Sequence, residues 1–182
     1  GPSEAWHARD LMQRFLFEGM RWSNSSHAMH TWTNKSTRNY WHSWSPVALF
    51  TREWNRAFGS GETASRTARI INSTSKDSPI TATWELVVEG KSVASGKRTV
   101  KVSRGGRSDT FPITLEMPEV DELTPGKLIL SATREGEQVF HEVKEISIIH
   151  TGGAPRPDLP KEDIVVLDPS GEAKARLRER GI

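Results

Sequence analysis

The stretch Ile80-Thr81-Ala82-Thr83-Trp84-Glu85-Leu86-Val87-Val88 sets how the rest of the chain is read. Ala82, Trp84, Leu86 and Val88 fall on one parity, and Thr81, Thr83, Glu85 and Val87 on the other. That period of two turns one face of a strand to a core and the other outward. Gly90-Lys91 is a tight turn, and residues 92–102 return with Val93, Val100 and Val102. Val93 is out of phase with the later valines, and a bulge or bend at Gly96 restores the register. Upstream, residues 62–72 read as a strand with Ala64, Ala68 and Ile70 inward. Downstream, Arg104-Gly105-Gly106-Arg107 turns the chain into the strict alternation of Phe111, Ile113, Leu115 and Met117. Pro125-Gly126 turns it towards Leu128, Leu130 and Ala132, and Glu135-Gly136 turns it again into residues 138–149, through Phe140, Val143, Ile146 and Ile148.

About six or seven strands in roughly 90 residues, with a turn signal between each pair, is the spacing of a two-sheet antiparallel sandwich. The long crossovers that parallel strands need are absent from this stretch. The fold class expected is mainly β, an immunoglobulin-like sandwich without cysteine, with Trp84 as its central aromatic. An N-terminal helical segment and a C-terminal β-α unit flank it.

Outward from the sandwich the period changes. Residues 3–22 read as a helix, with Ala8, Leu11, Met12, Phe15, Leu16, Gly19 and Met20 on one stripe. Arg9, Asp10, Gln13, Arg14 and Glu18 lie mostly on the other side, and Ser3 is the expected N-cap. Residues 27–32 form a short, partly apolar run, and 33–45 an ordered loop. Pro46 opens an extended run over Val47–Phe50, and Phe58-Gly59-Ser60-Gly61 is a turn. Beyond the strands, residues 151–162 hold Gly152, Gly153, Pro155, Pro157 and Pro160 and read as a linker. Ile164–Leu167 suits a strand buried on both faces, and Glu172–Arg180 a helix capped at Gly181. Three parts result: residues 1–45, 46–150 and 151–182.

The chain has 182 residues, too few for a complete α/β barrel of about 250. Twenty-five basic and 23 acidic side chains leave a formal charge of +2, a mixed surface with no field for steering nucleic acid. There is no cysteine, hence no disulfide or thiolate metal site. No run of 18 apolar residues offers a transmembrane helix. Seven tryptophans are present, six of them before residue 55, which sets the N-terminal third apart in composition. Gly1-Pro2 has the look of a protease scar, so the chain is expected to be an excerpt of something longer.

Several short matches, in order, carry a resemblance. Glu18-Gly19-Met20-Arg21-Trp22 followed by Ala28-Met29-His30-Thr31-Trp32 resembles the close of the barrel in glycoside hydrolases of the family-2 kind. Trp44-Ser45-Pro46-Val47-Ala48-Leu49-Phe50, Arg52-Glu53-Trp54-Asn55 and Phe58-Gly59-Ser60-Gly61-Glu62 resemble the junction of that barrel with an immunoglobulin-like domain. Val165-Val166-Leu167-Asp168-Pro169 is similar to the start of an amidotransferase-like domain. The resemblance implies a parent that hydrolyses glycosides with two carboxylates. Both would lie upstream of residue 3, so no catalytic residue is expected here. It also implies that Trp32 stands at the mouth of the last barrel strand, where its indole could stack on a sugar ring and His30 could bond a hydroxyl. These two are the candidate substrate-binding residues.

Plainer readings stand beside these. Trp41, Trp44 and Trp54 suit packing at the junction. Glu4 as a nucleophile is disfavoured, because a helix start accounts for its charge. His27, His30 and His42 have no carboxylate at ligand spacing, so neither a metal nor a cofactor is expected. Lys97-Arg98, Lys101 and Arg104-Gly105-Gly106-Arg107 read as a solvated strand edge guarded by charge. The function expected is a non-catalytic portion of a carbohydrate-active enzyme, with the sandwich as a brace between barrel and downstream domain. The alternative is a free-standing carbohydrate-binding or adhesion module. Carbohydrate is the expected partner through the parent, nucleic acid and membrane are not, and the N-terminal helix is expected to dock through the Trp41/Trp44 loop or to self-associate. The parent would be periplasmic or secreted.

Overall fold

A computed structural model describes residues 2–23 and 42–150, and five positions near the C-terminus (168, 171, 174, 175 and 178). Side chains in the first helix are described from residue 8, except residue 10. The elements are α1 (Pro2–Trp22), β1 (Val47–Thr51), β2 (Ala57–Gly59), β3 (Thr63–Asn72), β4 (Ile80–Val88), β5 (Lys91–Val100), β6 (Arg107–Glu116), β7 (Thr124–Arg134) and β8 (Glu137–Ile149). Two compact units divide the chain, Gly1–Thr151 and Gly152–Ile182. The helix α1 belongs to the first, together with every strand among the described residues.

The strands make two sheets, one ordered β1-β3-β6 and the other β2-β8-β7-β4-β5. All pairings are antiparallel except β2 with β8. The result is the mainly-β sandwich that the alternation predicts. Ala82, Leu86 and Val88 of β4, Phe111, Ile113 and Leu115 of β6, Leu128, Leu130 and Ala132 of β7, and Ala64, Ala68 and Ile70 of β3 meet in one buried core. Trp84 shares the inward parity. Its ring lies 6.1 Å from that of Phe111 on the opposite sheet, and the indole spreads across the backbone of Gly96.

Four local readings are corrected. The bulge in β5 sits at Val93 rather than at Gly96, because the register slips between Leu86 (opposite Ala94) and Val87 (opposite Ser92). Gly96 instead keeps the space that Trp84 fills. Pro125-Gly126 is no turn but the start of β7, where β4 ends opposite Gly126 and leaves Pro125 with a ladder partner on β8 alone. Phe58 and Gly59 form the short parallel strand β2, and the turn follows at Ser60-Gly61, with Gly61 at φ +67°. The helix α1 begins at Pro2, so Ser3 lies inside its first turn; proline suits that position because its missing N–H would have no partner there.

Candidate functional site

The larger correction concerns α1. Its buried residues are Arg14, Phe17, Glu18 and Arg21, while Met12 and Leu16 are 66% and 47% exposed. The helix therefore docks by the face that reads as polar and turns much of its apolar stripe outward. The cause lies on β8. Glu142 and Lys144 take inward positions between Phe140 and Ile146 and need opposite charges. Arg14 Nε donates to Glu18 Oε1 at 2.7 Å, and Arg14 Nη2 pairs with Glu142. Lys144 Nζ stands 3.8 Å from Glu18 Oε2 and 3.8 Å from Glu142 Oε1. Two cations and two anions thus cross the interface diagonally, each within 7% exposure. Burial dominates over Glu18 in setting Lys144, whose ammonium is pushed down to about 8. Val143, by parity, faces outward and is exposed.

The C-terminal end of α1 is held differently. Arg21 Nη1 donates to the carbonyl oxygens of Ser43 (2.6 Å) and Ser45 (2.9 Å), and Nη2 to Ser73 Oγ at 3.3 Å. Its guanidinium lies 5.5 Å from the Phe50 ring centroid, and burial lowers it to about 10. Trp22 takes Arg69 at 4.9 Å and Arg52 at 5.9 Å over its ring. This cover, together with the opposite sheet, buries all five residues of β1. Trp54 stacks on Phe15 at 5.1 Å and Trp44 tilts on Phe17 at 5.9 Å. Both indoles serve as packing while remaining 40% exposed. Helix docking beside Trp44 matches one of the two arrangements expected for α1.

Glu18 and Glu142 are the buried carboxylates among the described residues. They are committed to Arg14 and Lys144, and the space beside Lys144, under Phe15 and Trp54, is about 20 Å³. That is room for about one water and not for a sugar between two acids. A larger concavity of about 330 Å³ lies at the β3–β4 loop, between Thr74, Lys76, Arg134, Glu135 and Val139. Three of its lining residues, Thr74, Lys76 and Arg134, meet in a knot around Asn72. Asn72 Nδ2 donates to the Lys76 and Val102 carbonyls at 2.8 Å each, and Asn72 Oδ1 accepts from Arg134 Nη2 at 2.8 Å and from Thr74 Oγ1 at 2.6 Å. These bonds satisfy one another and fix the loop; sequence patterning carries no sign of them. The basic segment of β5 is an edge strand, as expected, with Lys97 and Arg98 exposed and Arg98 over Phe111 at 5.2 Å.

Trp32 and His30, the candidate substrate-binding residues, lie outside the described residues, as do His27, Trp41 and the run Ile164–Leu167. The Glu4 side chain is likewise outside them. His42 stands edge-on to Phe140 at 6.3 Å. Among the described residues no group of three or more His, Cys, Asp or Glu could hold a metal, and no helix is long and apolar enough to cross a membrane.

No family model matches the sequence, and no curated protein matches it. Among solved structures, the chain is similar to a β-glucosidase from Listeria innocua at 15% identity and TM-score 0.43, covering 58% of this chain and 16% of that one. It is similar to a β-glucuronidase of glycoside hydrolase family 2 at 13% identity and TM-score 0.41, covering 57% and 11%. It is also similar to the CARDB domain of a Pyrococcus furiosus protein at 9% identity and TM-score 0.38, covering 59% and 97%. The chain thus spans less than a fifth of either glycosidase, and what it has in common with them is a distant likeness of fold.

Proposed function

We propose that this chain is a non-catalytic part of a carbohydrate-active protein, in which the immunoglobulin-like sandwich braces a glycoside-hydrolase barrel against a downstream α/β domain. The observation that carries the reading is the two-sided character of α1. One face is fastened to β8 by paired buried charges; the other presents Met12 and Leu16 outward. A helix locked on one side and apolar on the other can hand a fixed orientation from the sandwich to a neighbour, and exposed apolar stripes of this sort mark contact surfaces. The ordered matches around residues 18–32 and 44–62 support the barrel as that neighbour. Trp32 and His30 would then stand at its mouth as a sugar platform.

The test is direct. The chain is titrated with neutral and acidic oligosaccharides while tryptophan fluorescence is followed, and it is assayed with aryl glycosides. A brace gives no saturable response and no turnover. A saturable change would assign the chain to the alternative, a self-sufficient carbohydrate-binding module, and hydrolysis would overturn the brace altogether.

A further inference from the structure

The two ends of the docked part of α1 are held by different chemistry. At Arg21 the partners are two backbone carbonyls and a serine hydroxyl, none of which changes charge between acid and neutral pH. At Arg14 and Glu18 the partners are Glu142 and Lys144, and every link is between ionised groups. The contacts of Glu142 and of Oε2 of Glu18 are with Arg14 and Lys144, both cations, so opposite charge is what keeps them in place. We propose that α1 is held by an acid-labile clasp at Arg14, Glu18, Glu142 and Lys144 and by a pH-indifferent pivot at Arg21, so that acidification frees the Arg14–Glu18 part of the helix while the sandwich stays folded.

The surroundings sharpen the asymmetry. From the segment between β1 and β2, Arg56 borders the same small space as Lys144 and is within electrostatic reach of Arg14, Glu18 and Glu145 of β8. Glu53 and Arg66 border the same small space as Lys144. Glu53 is bonded to Thr67 N and Oγ1, and Arg66 donates to the Ser65 and Asn55 carbonyls. His42 faces Phe140, two residues before Glu142. At neutral pH three cations (Arg14, Lys144 and Arg56) meet two carboxylates. Protonation of one carboxylate leaves the buried cations Arg14 and Lys144 against one anion, with the half-buried Arg56 beside them, an excess of like charge that burial tolerates poorly. Undocking returns those charges to solvent. Proton uptake by a carboxylate removes the charge that the docked cations need, so acid favours the undocked helix. The bonds of Arg21 to Ser43, Ser45 and Ser73, and its place over the Phe50 ring, are unaffected by protons and keep that end of the helix tethered.

Amide hydrogen exchange of the full chain, corrected for intrinsic rates and compared at pH 7 and pH 3.5, reads the clasp. Amides of α1 up to Glu18 should lose protection by about tenfold or more, while those of β4 and β7 keep theirs. At pH 7, Glu142→Gln, which carries no charge to pair with Arg14, should show the same loss in α1 alone. The combined change R14M/E18L/E142L/K144M should dock α1 with protection that no longer varies between the two pH values. Unchanged α1 protection at pH 3.5 in the wild-type chain would overturn the clasp. So would loss of α1 and sheet protection together, since acid would then act on the whole fold. These wild-type readings stand even where a variant fails to fold, and they are independent of what α1 braces.

Discussion

A Cβ built on Gly96 would stand 2.2 Å from Cζ2 and 2.5 Å from Cε2 of Trp84. The indole cannot retreat easily, because Phe111 lies behind it and rigid rings in a packed core do not shift at low cost. Gly96→Ala should therefore destabilise the chain by about 1–3 kcal/mol, read as a lower urea midpoint with an unchanged slope; a midpoint equal to wild type would show that the ring has room to move. Lys144 gives a second expectation at this scale, with its sign set by burial. Its pKa in the fold is about 8 against 10.5 in the unfolded chain. The cost of burying its charge stands in full below pH 8. It is relieved as pH rises from 8 to 10.5, where the folded state has lost the proton and the unfolded chain still holds it. Stability from this group therefore rises with pH across that window, by about 2 kcal/mol at pH 9.5. Urea unfolding at pH 7 and pH 9.5 should show the gain in the wild type and not in Lys144→Met, and parallel behaviour of the two would refute the assignment.

At the scale of elements, what the sequence shows and what it hides separate cleanly by physical cause. Strands β3, β4, β6 and β7 are legible because each buries one parity, so that Phe111, Ile113 and Leu115 mark the core without knowledge of their partners. The face on which α1 docks is not legible. A periodicity argument assigns apolar residues to the interior, but β8 carries Glu142 and Lys144 inward, and only the pairing of the two elements reveals that Arg14 and Glu18 must meet them. The same non-local cause hides β2, three residues long and defined by its parallel register with Ser147, Ile148 and Ile149. Pro125-Gly126 reads as a turn by local chemistry. It becomes strand because β7 pairs there with β8, and Gly126 lets Ile146 and Val88 approach to 3.2 and 3.3 Å of where a Cβ would be. Trp32 and His30 rest on the resemblance alone, and their role as a platform stays with the proposal.

At the scale of the molecule, the helix and the sandwich form one unit, and the core of that unit runs from Val47 to Ile148. Among the described residues, no member of the core cluster lies after Ile148. A chain ended at Thr151 should consequently fold and melt in one cooperative transition. Removal of residues 2–23 has the opposite consequence, although it also leaves the core cluster intact. It takes Arg21 and Trp22 off β1, whose residues are buried on both sides. It also leaves Glu142 and Lys144 on the sheet without their partners on the helix. Breaking a buried pair by taking away one side costs about 3–5 kcal/mol when the remaining charge stays enclosed, and less here because the same deletion lets water reach it. Added to the lost cover of β1, this should lower the melting temperature well below that of the chain ended at Thr151, with exposed apolar surface reported by dye binding. If the two truncations melt alike, α1 is an appendage rather than the third layer of the sandwich, and the brace loses the rigid attachment on which it depends.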